Sequence, residues 1–377
     1  MKFDHYFKSR QGEMINLLKK IVSLESPSTD KEAVNRCSSY VVKELKKTGS
    51  RISRFPQEEI GDIYLAEYPL SRTKELKEQI LILTHIDTVW PVGRIKNMPF
   101  YVSGNKIYGP GVLDMKAGLV MVIFSFKTLN ELSIRLKKNI AVFINSAEEI
   151  GSEASRKIIL NLAKKSACVL CLEPALPGGA LKTQRKGRMV VRMDTKGKAA
   201  HAGTPEDGIN AIDELMLQLR ILQKIRTKEI TINIGQIKGG EKPNIVAERA
   251  SAILDIRFWR GSQKERILAN LKQLKPMLHG ARISYKIESL TPPMEKTEAS
   301  TKLFSQVKKI AASSLNMTLE AGKTGGGSDA SIVSSLGIPT LDGLGPDGEG
   351  IHAENENLIL SSLVERTALL TEILCQL

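Results

Sequence analysis

The 377-residue chain is short of cysteine, of aromatic residues and of long apolar runs, and each scarcity removes a class of protein. Its four cysteines, Cys37, Cys168, Cys171 and Cys375, are too few and too scattered for a disulfide framework, which points to a reducing cytoplasm. Cys168 and Cys171 have the CxxC spacing of a zinc or redox site, but no second Cys or His pair follows closely. They sit in the apolar run ACVLCLE, the pattern of a buried strand. No apolar stretch approaches the roughly 20 residues of a membrane helix. Aromatic residues are 5% of the chain, and no zinc-finger, RRM-like or helix-turn-helix signature accompanies the net charge of +14. The charge is therefore not read as nucleic-acid binding. Near the N-terminus, Asp4 and His5 stand where a signal peptide would be basic, and Met14, Leu17, Leu18, Ile21 and Val22 follow at helical spacing.

What is present is length for two cores and an uneven distribution of charge. Residues 185–292 hold 21 Lys or Arg against 11 Asp or Glu, a net of +10 by subtraction. Before this segment, strand-like runs alternate with helical patterns: strand 79–87, helix 115–132, strand 139–149, helix 153–165 and strand 167–173. That is the pattern of an α/β sheet, and each of these strands ends in His, Asp or Glu. Ligands of open α/β sheets bind outside the carboxyl ends of the strands, so these side chains predict one shared site. From about residue 185 the pattern becomes a self-contained α+β unit, ending near TPPMEK. A helix at 299–315, the turn TGGGSDAS, an apolar strand IPTLDGLG and a final helix from about 357 then resume the first pattern. The expected division is a discontinuous domain, 1–184 with 293–377, interrupted by a second domain at 185–292.

Five segments carry the chemistry. His85 lies in THIDTVW, with Asp87 two residues on, where it can fix the tautomer of the imidazole. Asp114 lies in GPGVLDMKAG, and a helix N-cap is its structural alternative. Glu148 and Glu149 are adjacent in NSAEEIGSE, where mutual repulsion calls for nearby cations unless the loop is simply solvated. Glu173 closes the apolar run CLE, and an unpaired carboxylate is costly to bury there. His352 lies in a polar loop, GEGIHAENE, where exposure alone would explain it. As a set, His85, Asp114, Glu149, Glu173 and His352 are nitrogen and oxygen ligands suited to zinc. If Asp114 bridges two ions, each ion gains one His and one carboxylate of its own. Such a site leaves room for a water between the metals and can polarise a carbonyl. Glu148 is then the spare carboxylate, free to take the proton of that water and pass it to a leaving amine.

The segments THIDTVWP, GPGVLDMKAG, NSAEEIGS, CLEP, RKGRMVVRMDTKGKAAHAGTPEDGINAI, KPNIVAE, LDIRF and TGGGSDAS, followed by His352, resemble the M20 family of metallopeptidases over nearly the whole chain. The likeness is greatest to its carboxypeptidase G2-type (glutamate carboxypeptidase) branch. The resemblance implies a zinc-peptidase-like catalytic domain with a mixed central sheet flanked by helices, plus an inserted α+β lid and dimerisation domain. It implies two Zn2+, replaceable by Co2+ or Mn2+, with His85 and Glu173 on one and Glu149 and His352 on the other. Asp114 would bridge them, Glu148 would be the acid/base and Asp87 would stand behind His85. It also implies a cis peptide after Asp114, and a His201 that reaches the partner subunit's active site in a homodimer to stabilise an oxyanion. Asn244 and Arg257 match substrate-contacting lid positions, although Arg257 also suits a structural ion pair. Gly326, Gly327 and Ser328 match a loop that lets backbone approach substrate, or form a plain turn.

The expected reaction is removal of a C-terminal, acidic amino acid from a peptide or N-acyl amino acid. The alternative is a deacylase of the acetylornithine or succinyl-diaminopimelate type. The basic segment favours the first, because a positive field over a cleft attracts anionic substrates.

Overall fold

The computed structural model describes residues 3–69 and 78–377. The chain separates into two compact units, one of residues 1–183, 296–323 and 328–377, the other of 184–295 and 324–327. This differs from the expected division mainly at the glycine-rich turn. Lys186 N donates to Thr324 O, and Arg185 Nη1 donates to Gly326 O and Gly327 O at 3.2 and 2.9 Å. Those bonds tie 324–327 to the second unit, although the sequence returns to the first unit on either side.

The first unit is built on a six-stranded mixed sheet in the order 51–55, 63–68, 139–145, 79–85, 168–171, 340–341. The last four strands are parallel and the first two add an antiparallel edge. The parallel strands are apolar almost throughout, as strands buried on both faces must be. Helix Ala117–Glu131 is buried at 12 of its 15 positions and packs on the C-terminal helix Leu360–Gln376. Gly118 lets that helix approach the sheet, since a Cβ there would lie 3.1 Å from Leu172 Cβ and O. Cys168 and Cys171 are buried members of a strand, and burial pushes the Cys168 thiol up to about 12. The apolar strand expected at 338–345 shrinks to Thr340–Leu341, because Gly337 and Gly343 take positive φ values of 78° and 74° on either side.

The parallel strands are also in register at their carboxyl ends. His85 stands opposite Asn145, and Leu83 opposite Cys171 two residues before Glu173. The side chains that close these strands are thus delivered to one edge of the sheet.

The second unit is a four-stranded antiparallel sheet in the order 231–239, 249–258, 187–196, 282–291, with helices Ala211–Gln223 and Gly261–Lys272 on one face. Strand 187–196 alternates strictly between buried and outward positions. Met189, Val191 and Met193 join Leu254, Ile256 and Phe258 in the core. The outward face collects Arg188, Arg192 and Lys196, and Lys196 stands directly opposite both Arg249 and Arg282. Like charges so placed repel one another, so this row concentrates part of the unit's positive charge at one end of the sheet.

Candidate metal centre

Each candidate ligand arrives by a different local route. His85 is the last residue of its strand and is buried. The chain then bends, so that Asp87 O lies 3.0 Å from His85 Nδ1 and fixes which ring nitrogen faces outward. Asp87, fully buried, accepts Ser28 Oγ at 2.7 Å and the backbone N–H groups of Glu148 and Glu149 at 3.2 and 3.1 Å. Asp87 therefore holds the histidine through its backbone carbonyl and the acidic turn through its carboxylate.

Asp114 is not a helix cap. Helix Ala117–Glu131 begins after Lys116, and Asp114 has extended dihedrals of −111° and 96° followed by a cis peptide to Met115. Gly111 supports this bend at φ 69°, where a Cβ would come 2.5 Å from Thr88 Cγ2. Glu356 grips the segment from inside the protein. It accepts the N–H groups of Gly111, Leu113 and Asp114 at 2.9 to 3.2 Å, and the Trp90 indole N–H at 3.0 Å. Replacing Glu356 with glutamine puts an amide group among these donors and leaves buried N–H groups without an acceptor. We expect a loss of about 2–3 kcal/mol of unfolding free energy. Urea denaturation measures it, and an unchanged midpoint would contradict the clamp.

The Asp114 carboxylate is directed at two imidazoles at once. Oδ1 lies 3.2 Å from His85 Nε2, and Oδ2 lies 3.4 Å from His352 Nε2. His85 Nε2 is also 3.4 Å from Glu173 Oε1, and His352 Nε2 is 3.0 Å from Glu149 Oε2. Two nitrogen–carboxylate pairs thus flank a shared aspartate. Two further groupings have ligand atoms within 4.8 Å of one another, His85 with Glu148 and Glu173, and His85 with Asp114 and Glu149. His352 is half-exposed on a loop, at φ 60°, whereas His85 is enclosed.

The electrostatics match the geometry. Desolvation opposes ionisation of Asp114, but hydrogen bonds with His352 and His85 hold its carboxyl well below the usual range. Hydrogen bonds with Asp114 and Glu149 push His352 up to about 10. Desolvation alone would depress His85; its bonds to Asp114, Asp87 and Glu173 outweigh that and raise it well above the ordinary value. Glu148 is pushed well up by desolvation and by the charges of Glu173, Asp329 and Glu149, with His85 opposing. Carboxylates crowded around two imidazoles in a desolvated setting are a donor set that divalent cations would neutralise, and nitrogen with oxygen ligands fits zinc.

Of the residues singled out in the sequence, the structure brings together His85, Asp87, Asp114, Glu148, Glu149, Glu173 and His352. The other candidates lie elsewhere in the chain's organisation. His201, Asn244, Arg257, Gly326 and Gly327 belong to the second unit and Ser328 to the first. His201 is exposed, its Nδ1 accepting Gly203 N–H at 3.0 Å, and Asn244 O accepts Ala202 N–H alongside it. Arg257 donates to Asp255 at 2.7 Å and to Gly325 O at 2.8 Å. Ser328 is buried and its hydroxyl donates to Asp342 at 2.7 Å. Sequence reasoning passed over Glu356, Ser28, Asn145, Ser152, Arg185 and Asp329. All but Ser28 lay within segments singled out for other residues: Asn145 and Ser152 in NSAEEIGSE, Arg185 at the head of RKGRMVVRM, Asp329 in TGGGSDAS and Glu356 at the end of GEGIHAENE.

A mixed α/β sheet whose strand ends converge on paired imidazoles and carboxylates is the architecture of a metal-dependent hydrolase. The chain belongs to peptidase family M20/M25/M40, whose sequence profile matches residues 81–376. It is similar to carboxypeptidase G2 of Pseudomonas sp. (strain RS-16), 30% identical over 367 residues that cover 94% of this chain and 87% of that one. It is also similar to acetylornithine deacetylase of Edwardsiella ictaluri (strain 93-146), 27% identical over 235 residues, 57% of this chain and 60% of the relative. The Bacillus subtilis YXEP protein, a dinuclear metal binding peptidase from the M20 family, shares the fold with a TM-score of 0.72 at 17% identity, covering 98% of each chain. The protein is a metallohydrolase of the carboxypeptidase and amidohydrolase kind. No helix among the described residues is long and apolar enough to cross a membrane.

Proposed function

We propose that the protein is a dinuclear zinc hydrolase that removes an acidic, glutamate-like C-terminal residue from a peptide or N-acyl amino acid. The observation that carries this reading is the division of Asp114, one oxygen toward His85 and the other toward His352. His85 and Glu173 would hold one ion, Glu149 and His352 the other, with Asp114 common to both. The bound cations would supply Lewis acidity toward a carbonyl oxygen and lower the pKa of water. Glu148, close to His85 and Glu173 and left over from the ligand set, takes the proton of the attacking water and delivers it to the leaving amine. Asp87 orients His85 and the turn that carries Glu148. His201 donates to the oxyanion from the partner subunit of a homodimer formed by the second unit. Asn244, Arg257 and the backbone of Gly326, Gly327 and Ser328 receive the substrate's terminal carboxylate. The few, scattered cysteines agree with work in the cytoplasm.

The acidic preference rests on the basic outward face of the second unit and on the likeness to carboxypeptidase G2. It predicts that kcat/KM for an acyl-glutamate exceeds that for a neutral acyl-amino acid by about tenfold or more, and falls as salt rises. Equal rates with no salt dependence would remove it. A preference for N-acetylornithine or a succinylated diamino acid would instead support the deacylase reading, which the acetylornithine deacetylase likeness favours.

A further inference from the structure

The turn Ala147–Ser152, which presents Glu148 and Glu149, is held from two sides. On one side Asp87 accepts the N–H groups of both glutamates. On the other lies Asp329, at the start of the short helix Asp329–Ser334 and buried to 4% exposure. Its Oδ2 accepts Asn145 Nδ2 at 2.7 Å and its Oδ1 accepts Ser152 Oγ at 2.5 Å. Asn145 stands two residues before the turn begins and Ser152 ends it. Asn145 Nδ2 also reaches Ser152 Oγ at 2.9 Å, so the three side chains close a triangle beneath the turn. The other end of the Asn145 amide is committed, because Oδ1 accepts Ser146 N–H and Ala147 N–H at 2.9 and 3.2 Å. The turn closes on itself through Gly151 N to Glu148 O and Ser152 N to Ala147 O, and Ser152 sits at φ 57°, where backbone other than glycine needs support.

A buried carboxylate is costly unless its oxygens are satisfied, and here both are satisfied by the two residues that bracket the turn. We infer that Asp329 is a positioning residue that fixes the direction of Glu148 and Glu149 through Asn145 and Ser152. The inference rests on the reading of Glu148 as acid/base and Glu149 as ligand. It accounts for an acidic residue in a motif otherwise read for its glycines, and it couples the helix after the glycine-rich turn to the acidic turn within one unit.

Asp329→Asn removes one acceptor and sets an amide against the Asn145 amide, whose orientation is already fixed. Ser152→Ala removes the hydroxyl that donates to Asp329 and accepts from Asn145, and retains the bond between Asn145 and Asp329. Outer partners of a metal site typically change affinity or activity by about 10–100-fold when lost. For both variants the expected result is a drop of about tenfold or more in kcat at saturating zinc, with KM within about twofold. A chelator-competition titration should show the affinity for one of two ions falling by about tenfold while the other holds. The inference is overturned if kcat and both affinities stay within about twofold of wild type in the folded variants. It is equally overturned if both affinities fall together with the thermal midpoint, since that is general loosening. Glu148→Gln, assayed in parallel, separates the two levels: an active Glu148→Gln rejects the acid/base reading itself, whereas an inactive one beside a normal Asp329→Asn rejects only the role of Asp329.

Discussion

Glu148→Gln should lower kcat by about 10^2–10^4-fold, the usual contribution of a positioned acid/base, while leaving substrate affinity and metal content close to wild type. Glutamine has the same length and shape, so the turn held by Asp87 and by the Asn145, Ser152 and Asp329 triangle has no reason to move. What is lost is the proton carrier. The carboxyl lies among Glu173, Glu149 and Asp329, and desolvation with these charges raises its affinity for a proton, His85 opposing. A group that readily takes and holds a proton suits transfer from water to an amine. Steady-state kinetics on an acyl-glutamate, with metal measured on the same sample, checks the prediction. A variant retaining more than about a tenth of wild-type kcat would assign the proton transfer to another residue.

Part of this centre was legible from the chain because several of its candidate ligands follow regular strands. His85 and Glu173 follow apolar runs whose length and β-branched content specify buried parallel strands, and the parallel arrangement aligns their carboxyl ends. The second unit's strands at 187–196 and 249–258 were legible through alternation, since one face meets helices and the other does not. Less visible were partners set by tertiary contact. Glu356 satisfies backbone donors more than 240 residues away in sequence, and no local period marks it. Asp114 looked equally like an N-cap, because a short acidic residue before a helix has that signature. The cis peptide and the glycine-supported bend move the helix start to Ala117 and free the carboxylate for the imidazoles. The turn 324–327 was assigned with its sequence neighbours, whereas the guanidinium groups of Arg185 and Arg257 bind its carbonyls to the second unit.

The second large effect concerns Asp114. Its two carboxylate oxygens lie 3.2 and 3.4 Å from the two imidazoles, so its loss should cost both ions rather than one. In Asp114→Ala the two nitrogen–carboxylate pairs, His85 with Glu173 and His352 with Glu149, remain but no longer share a ligand. Two protein ligands are fewer than the three or four that zinc sites use, so neither pair should retain an ion through purification. Activity should then fall by more than about 10^3-fold, and added zinc at ordinary concentrations should not restore it. The fold should survive, because the Glu356 clamp acts on the backbone of Gly111, Leu113 and Asp114 and not on the Asp114 side chain.

The most direct test of the two-metal centre is the metal content of purified, zinc-reconstituted protein, measured by plasma mass spectrometry against a quantified chain concentration. A pair of ions per wild-type chain, and close to none in Asp114→Ala, is the predicted result. A single ion per wild-type chain, or an undiminished pair in the variant, would contradict an Asp114-bridged dinuclear site.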